Sequence, residues 1–423
     1  MPDDVRARQR TGAGVGLLLT LVLAAVLLTA LPDTDDRRHR DDSRQNGGDC
    51  IPHTVAEWST ADRLTTEFAR YGDDATRTDD WTGGDGTHSL ALPDGRVLWL
   101  FSDTYLGRVH PPPNPSGESA AWRDTTAPLV RNSAVVMRDG RLTRTLPAPL
   151  FPDPAPSQWR WPVAARVEPR SPGSTEQVVR VLLWVRAEGQ APWIYGVPTA
   201  TEVATLSLPD LRVESVTEVL GQRLLPDPSR RVLYGTTLIE RDGWTYVFGG
   251  DDGQAASRAT SSAYVARVPK GRLADPAAWR YWDGGAWTRA AERAAPVLGD
   301  ERRTGVGSAF SVVRRGGTYV LFTMAAGGAG LTAVTSYWAC SPTGPWHGPA
   351  RDFRPPLPGG GPTGAEVVAA YNPQTHPELG GDGRLVLSYD VNSLHTVGAS
   401  AHINGNVSLY RPRFVTLRLT PAR

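Results

Sequence analysis

Apolar residues in this chain recur in short runs that follow turn-forming residues. Four stretches share one pattern, in which a turn pair ending in Gly precedes a run of β-branched and aromatic residues. They are "PDGRVLWLFSD" (93–103), "RDGWTYVFGGD" (241–251), "RRGGTYVLFTM" (314–324) and "GDGRLVLSYD" (381–390). Because Asp-Gly and Gly-Gly pairs accept positive φ at low cost, each pair predicts a hairpin turn between two strands.

Strand-like runs also precede these turns, as in "THSLAL" (87–92), "GTTLIE" (235–240) and "SAFSVV" (308–313). Each unit is therefore predicted to be a hairpin whose first strand enters just before the turn. A fifth, degraded copy with a longer turn covers residues 161–189. With that copy, five units of about seventy residues account for the chain from about residue 71 to its end.

Further strand-like runs lie between the hairpins, at 131–143, 263–269 and 332–340. They supply enough strands for four per unit, and no helical pattern is convincing. We therefore predict an all-β fold, a five-bladed β-propeller with four-stranded antiparallel blades, over residues 56–423. A β-sandwich would need fewer and more evenly spaced strands. The alternating run 410–420 is expected to complete a blade where the ring closes.

The N-terminal residues have a different composition. Three arginines precede an apolar run at 12–31, which is the pattern of an export signal and is long enough to span a bilayer. We predict that residues 1–31 are a signal peptide or an uncleaved signal anchor, and that the charged segment 32–55 is a disordered linker. The rest of the protein is then expected to be extracellular or on the cell surface, with this N-terminal segment as its sole membrane contact.

Charge and cysteine content narrow the class of protein further. The formal net charge is +1, so charge alone gives no reason to expect a nucleic-acid partner. The two cysteines, Cys50 and Cys340, suggest one disulfide in an exported protein. The alternative is two unpaired thiols, with Cys340 buried as a small apolar residue.

Several phrases resemble exported five-bladed propellers of the glycoside-hydrolase kind. These relatives include the domains of unknown function 4185 and 5005 and proteins similar to endo-acting arabinan hydrolases. The matching phrases are "GDGTHSLALPDGRVLWLFSDT", "RNSA", "YGTTLIERDGWTYVFGG", "YVARVP", "SPTGPW", "YNPQTHPEL", "LVLSYDVNS" and "YRPRF". They follow one another in order along the chain, as successive blades would. The resemblance implies a polysaccharide or oligosaccharide partner, and we expect a monomer.

Two acids are the main candidates for hydrolytic chemistry. Asp85 begins the inner strand of the first unit and Asp103 ends its partner strand, so a hairpin would place both at the same end. Glycoside hydrolysis needs one protonated carboxylic acid and one carboxylate, and neighbouring acids raise one pKa. We predict that Asp85 is the base or nucleophile and that Asp103 tunes it or is the acid. An Asp that only caps a strand end is the alternative, favoured for Asp251 and Asp390.

The stretch "NPQTHPEL" (372–379) places Gln374, His376 and Glu378 at alternating positions, on one face of a predicted inner strand. Glu378 is a third candidate acid, and Gln374 is a candidate substrate contact. His376 is a candidate proton shuttle, sugar contact or channel residue near a metal. A histidine that is simply hydrogen-bonded to the backbone explains the pattern equally well.

Other candidate sugar contacts come from amide, guanidinium and aromatic groups. Arg131 and Asn132 are predicted either to bind sugar hydroxyls or only to brace loops. Aromatic rings offer a stacking surface for sugars, although most of the 14 tryptophans must pack between blades. The candidate platforms are Trp81, Trp159, Trp161 and Trp193.

No cofactor is predicted; the alternative is a structural calcium ion in "YGDDATRTDDWTGGDG" (71–86), bound through Asp79, Asp80 and Asp85. That string lacks the complete loop pattern with a terminal Glu. The chain also lacks G-x-S-x-G, H-E-x-x-H and a cysteine cluster for zinc. We therefore expect an exported glycoside hydrolase that acts on a cell-wall or environmental polysaccharide such as arabinan. The alternatives are a propeller that only binds glycan and a scaffold that binds protein on its rim.

Overall fold

The computed structural model describes residues 50–421, except for 194, 223–224, 254–257, 301–303, 308, 327–331, 359–367 and 394–397. The predicted export segment 1–31 and most of the predicted linker lie outside the described residues. The first strand, β1 (His53–Thr60), starts within the last three residues of the expected linker. In the described part of the chain, no helix is long and apolar enough to cross a membrane.

Antiparallel sheets dominate the fold, and five of them follow one another along the chain. Sheet I contains β3 (His88–Ala91), β4 (Val97–Phe101), β9 (Ser133–Arg138) and β10 (Arg141–Thr145). Sheet II contains β11 (Gln158–Pro169), β12 (Gln177–Ala187), β13 (Val197–Leu206) and β14 (Val213–Gly221). Sheet III contains β15 (Val232–Arg241), β16 (Trp244–Asp251), β17 (Ala263–Pro269), β18 (Arg280–Trp282) and β19 (Trp287–Thr288).

Sheet IV contains β20 (Ser311–Arg315), β21 (Thr318–Met324) and β22 (Val334–Ala339). Sheet V contains β23 (Val368–His376), β24 (Arg384–Ser393) and β25 (Arg413–Pro421), and β1 pairs with β25 as its outermost strand. Sheet V therefore joins the two ends of the described chain. The five sheets have three to five strands each, whereas the sequence predicts four in every sheet.

The predicted hairpins are confirmed in all five units, because the first two strands of each sheet are antiparallel neighbours. The turn between β15 and β16 shows why the sequence forms them. Arg241 pairs with Trp244 across a two-residue loop, in which Asp242 has φ 51° and Gly243 has φ 78°. Positive φ at both loop residues defines the turn whose twist matches two antiparallel strands.

The first strands of the five sheets contact one another in a closed cycle. β3 contacts β11, β11 contacts β15, β15 contacts β20, β20 contacts β23, and β23 contacts β3. The residues that open these strands therefore converge on one shared region, although they lie far apart in the sequence. This arrangement decides which side chains form the candidate site.

An apolar core fills the space between each sheet and the next. Successive residues of the second strands enter different cores, because side chains alternate across a strand. Leu98 and Leu100 of β4 pack against sheet II, whereas Trp99 and Phe101 pack towards sheet V. Burial on both faces explains why β4 is apolar throughout.

Shorter elements cover the ends of sheets I and V. They are α1 (Asp62–Gly72), β2 (Asp80–Gly84), β5 (Thr104–Gly107), β6 (Val109–His110), β7 (Trp122–Arg123), β8 (Leu129–Val130) and α2 (Ala399–Gly405). The sequence prediction of no convincing helix is wrong at α1. That helix is amphipathic: Phe68 and Tyr71 are buried, and the Phe68 ring lies 4.9 Å from the Trp99 ring and 5.2 Å from the Phe414 ring.

Cys50 and Cys340 form a disulfide, which resolves the alternatives left by the sequence. Cys50 lies just before β1, and Cys340 directly follows β22. The bridge joins residues 290 positions apart and fastens the outermost strand of sheet V to sheet IV. The disulfide therefore holds β1 in place at the outer edge of sheet V, the last sheet along the chain.

We expect the double variant Cys50→Ser/Cys340→Ser to lose about 2–4 kcal/mol of unfolding free energy, because the bridge restricts a long loop of the unfolded chain. Urea unfolding of wild type and variant without reductant measures the difference. A thiol assay on unreduced, denatured wild type should find no free thiol. Two free thiols, or equal stability of the two proteins, would contradict the pairing.

Candidate functional site

Asp85 and Asp103 lie side by side at one end of sheet I. Asp85 is located between β2 and β3, and Asp103 lies between β4 and β5. The backbone N–H of Asp85 donates to the Asp103 carbonyl at 3.2 Å, and the Ser102 N–H donates to the Asp85 carbonyl at 2.7 Å. Both acids are partly exposed. The hairpin thus brings the two predicted acids together at the same end of their strands.

A third acid, Asp390 of β24, lies at the same place. Its carboxylate accepts hydrogen bonds from the Thr87 hydroxyl at 2.6 Å and from the Gly86 N–H at 2.7 Å. The Asn372 side-chain amide donates at 3.3 Å. Gly86 and Thr87 directly follow Asp85, so these bonds join sheet V to the start of β3. The sequence favours a role for Asp390 in capping a strand end or binding backbone amides. Its carboxylate does bind a backbone amide, that of Gly86, which lies just before β3 of sheet I.

Two tyrosines surround Asp85, and the sequence analysis missed both. The Tyr371 hydroxyl of β23 donates to Asp85 Oδ2 at 2.9 Å, and the Tyr410 phenol lies near enough to Asp85 for the carboxylate to influence its pKa. Burial, first of all, and then the nearby carboxylate raise the pKa of each phenol well above its usual value. Both hydroxyls therefore stay protonated, and that of Tyr371 acts as a donor. Tyr371 and Asp85 are 286 positions apart, so no local pattern links them.

Asp103 has a different set of partners. Arg131 Nη1 lies 3.1 and 3.3 Å from its two carboxylate oxygens, and the Trp161 indole N–H donates at 2.9 Å. The Arg131 guanidinium also lies 4.5 Å from the centroid of the Trp159 ring. Arg131 and Trp161, both predicted substrate contacts, are therefore placed beside the acids.

These partners separate the charge states of the three acids. Burial raises the pKa of Asp85 well above its ordinary value, and the negative charges of Asp103 and Asp390 raise it further. Burial also raises the pKa of Asp103, but the Arg131 cation and the Trp161 N–H oppose this rise. Burial raises the pKa of Asp390 to about 6 against the hydrogen bonds from Thr87 and Gly86. A proton is therefore held most readily by Asp85, while Asp103 is supported as a carboxylate.

Glu378 lies away from this cluster. It belongs to the short 3₁₀ turn Pro377–Leu379 beyond the end of β23, because Pro377 has no N–H with which to continue the strand. The Ser89 hydroxyl donates to Glu378, and Ser89 is four residues further along the chain than Asp85. Ser89 lies inside β3, whereas Asp85 lies before this strand begins. Glu378 lines a separate cavity of about 420 Å³, together with Ser89 and Gln374.

His376 and Gln374 also lie outside the acid cluster, and Gln374 lines the same cavity as Glu378. His376 is fully buried; one ring nitrogen contacts the Ser89 hydroxyl, and Nε2 lies 2.8 Å from the Ser388 hydroxyl. Burial lowers its pKa to about 3, so the ring is neutral and held by serines. The Gln374 amide donates to the Phe310 carbonyl at 3.3 Å.

Two predicted sugar contacts are core residues. Trp81 is completely buried, and its ring lies 5.5 Å from Phe68 and 5.1 Å from Phe101, so it offers no platform. Asn132 is also fully buried, because its amide bonds to the Phe151 backbone in both directions at 2.8 Å. Asn132 therefore braces a loop, which is the second of the two roles predicted for it.

The acidic string 71–86 does not converge on one point. The Asp80 carboxylate pairs with Arg77 at 3.1 Å, while Asp85 faces Tyr371. Over the part of the chain that the structure describes, no group of three or more His, Cys, Asp or Glu side chains is placed to hold a metal ion.

Comparisons with solved structures identify proteins of similar fold. A protein from Bacteroides ovatus ATCC 8483, whose assignment as a hydrolase is itself provisional, has 18% identity and a TM-score of 0.61, and the match covers 87% of this chain and 93% of that chain. The α-L-arabinofuranosidase PaAbf62A from Podospora anserina has 13% identity, a TM-score of 0.45, and coverage of 82% and 98%. The xylan β-1,4-xylosidase from Bacillus halodurans C-125 has 10% identity, a TM-score of 0.41, and coverage of 82% and 53%.

The Bacteroides ovatus protein shares the fold of this chain, while the two named glycosidases are more distant in structure. No curated protein matches the sequence. The family model for a domain of unknown function, DUF5005, matches residues 67–419, which is most of the chain. The chain therefore belongs to the DUF5005 family.

Proposed function

We propose that this protein is an exported glycoside hydrolase, built as a five-bladed β-propeller, in which Asp85 and Asp103 cleave a glycosidic bond. The observation that carries the proposal is that two adjacent carboxyl groups have different hydrogen-bonding partners. Asp85 is held by the Tyr371 hydroxyl, and Asp103 by a guanidinium and an indole N–H. One group is thereby favoured as an acid and the other as a carboxylate, which is the pair that glycoside hydrolysis requires.

The propeller assignment rests on the closed cycle of contacts among the first strands of sheets I–V. In a propeller, such strands line a central axis, and their ends form a funnel. The acid cluster draws its groups from the start of sheet I, from Trp161 of sheet II and from Tyr371 and Asp390 of sheet V. A shared funnel accounts for this convergence of distant segments.

In the proposed mechanism, Asp85 gives its proton to the glycosidic oxygen as the bond to the anomeric carbon breaks. Asp103 either attacks that carbon or takes a proton from the water molecule that attacks it. Tyr371 holds the Asp85 carboxyl in place, and Arg131 favours the ionised form of Asp103. This assignment reverses the one predicted from the sequence, in which Asp85 is the base or nucleophile.

The proposed substrate is a polysaccharide outside the cell. The disulfide Cys50–Cys340 supports an oxidising compartment, since such bonds are rare in the cytoplasm. The basic and apolar N-terminal sequence, 1–31, supports export in the same way. Arabinan is the polymer that the sequence favours. Arabinan, arabinoxylan and arabinogalactan are therefore the polymers on which activity should be measured.

We expect Asp103→Asn to lower kcat on the polymer by about 10³-fold or more, because the carboxylate that acts as nucleophile or general base is lost. Asp85→Asn should lose a similar factor on the polymer but retain much more activity on 4-nitrophenyl glycosides. A nitrophenolate leaving group departs without a proton, so it bypasses the acid. Release of reducing ends and of nitrophenol measures the two activities.

Glu378→Gln is the matched control, since that acid lies in the separate cavity, and we expect its activity to be close to wild type. Loss of activity in Glu378→Gln, or full activity in Asp85→Asn on the polymer, would refute the assignment. If wild type binds a polymer without cleaving it, the protein is a glycan-binding propeller instead.

A plot of kcat/KM against pH should fall on both sides of an optimum, with Asp85 responsible for the alkaline limb and Asp103 for the acidic limb. Activity is expected to fall as pH rises through the raised pKa of Asp85, because the acid loses its proton. It should also fall as pH drops through the pKa of Asp103, because the carboxylate becomes neutral. Arg131→Gln should move the acidic limb to higher pH, since the cation that favours ionised Asp103 is removed. An acidic limb that does not move would contradict the role given to Arg131.

A further inference from the structure

Two exposed apolar side chains, Tyr195 and Leu129, belong to segments that contact the partners of Asp103. Tyr195 is 63% exposed and Leu129 is 49% exposed. In the described residues, they are two of only four large hydrophobic side chains with such exposure; the others are Ile51 and Trp58. Exposed apolar groups next to a polar pocket commonly mark a binding surface.

Tyr195 is fastened to the wall of the site through Arg186. Arg186 Nε donates to the Tyr195 carbonyl at 2.7 Å, and its Nη2 donates to the Gly196 carbonyl at 2.6 Å. The same guanidinium lies 5.2 Å from the centroid of the Trp161 ring, and Trp161 bonds to Asp103. A continuous set of contacts therefore runs from Asp103 to the backbone of Tyr195.

A close approach at Gly196 fixes the same segment against Trp159. Gly196 has φ +82°, and a Cβ atom there would lie 2.4 Å from the Trp159 ring, so no larger residue fits. Arg131 covers the Trp159 ring as well, and Leu129 lies two residues before Arg131, on the same side of an extended segment. Leu129 and Arg131 on one segment and Tyr195 on the other, together called the strip, thus belong to two segments that meet at the Trp159 ring.

We propose that this strip is an accessory subsite, in which the Tyr195 ring stacks on a sugar unit beyond the bond that is cleaved. A tyrosine ring combines an apolar face with a polar tip, which suits the C–H face and hydroxyls of a sugar. The contacts that connect Asp103 to Tyr195 run through the Trp161 and Arg186 side chains, so the proposal assigns the two residues to different units of the glycan. The substrate is therefore an extended glycan chain, an inference that rests on the proposed function.

The test compares long and short substrates in Tyr195→Ala, with Tyr195→Trp as the conservative variant. We expect the ratio of kcat/KM for the polymer to kcat/KM for a 4-nitrophenyl monosaccharide to fall at least tenfold in Tyr195→Ala, mainly through KM. Tyr195→Trp should restore the ratio. Trp58→Ala is the matched control, since Trp58 is 39% exposed on the outermost strand β1 of sheet V and should leave the ratio unchanged.

Affinity electrophoresis in gels that contain arabinan, arabinoxylan or arabinogalactan tests the subsite without requiring turnover. Wild type and Asp103→Asn should be retarded by one polymer, and the added change Tyr195→Ala should abolish the retardation. If the protein binds but does not cleave, the proposed hydrolysis fails while the subsite stands. If a polymer is cleaved and Tyr195→Ala does not change the ratio, or if no polymer retards the protein, the subsite is overturned.

Discussion

The site depends on closed contact among the first strands of the five sheets. Each strand touches the next, and β23 of the last sheet touches β3 of the first. This contact brings Asp390 within hydrogen-bond distance of Gly86 and Thr87, 304 and 303 residues away. The apolar cores between neighbouring sheets hold the strands in register, and the disulfide and β1 fasten the last sheet. Without closure, Asp85 would keep its hairpin partner Asp103 but lose the Tyr371 hydroxyl and the influence of Asp390.

The same convergence creates the electrostatic difference on which the proposed chemistry depends. Three carboxyl groups are crowded at one place, and burial disfavours the charge on each of them. The partners then differ: Arg131 and Trp161 reach Asp103, whereas Tyr371 and Tyr410 reach Asp85. Because tyrosine hydroxyls compensate a carboxylate less than a guanidinium does, the proton belongs on Asp85. The charge states thus follow from which strands end at the cluster, and the proposed subsite at Tyr195 connects to the same cluster through Arg186 and Trp161.

Local patterns in the sequence predicted the parts of this site that local structure determines. Asp-Gly turns predicted the hairpins, and one hairpin was enough to place Asp85 beside Asp103. Tyr371 could not be found in this way, because only closure of the sheets brings it to Asp85. The sequence predicts Glu378 as a third candidate acid because alternation shows on which face of a strand a residue lies. Alternation does not show at which end of the sheet the residue lies. The prediction of Trp81 as a sugar platform is wrong because α1 covers its ring, and the sequence pattern does not show this packing.

The most direct measurement is a ¹³C NMR titration of the aspartate carboxyl groups, with Asp85→Asn and Asp103→Asn spectra to assign the two signals. We expect Asp85 to titrate well above the ordinary range of about 4 and above Asp103. In Arg131→Gln, the pKa of Asp103 should rise. A higher pKa for Asp103 than for Asp85, or ordinary values for both, would contradict the account of an acid and a carboxylate separated by their partners.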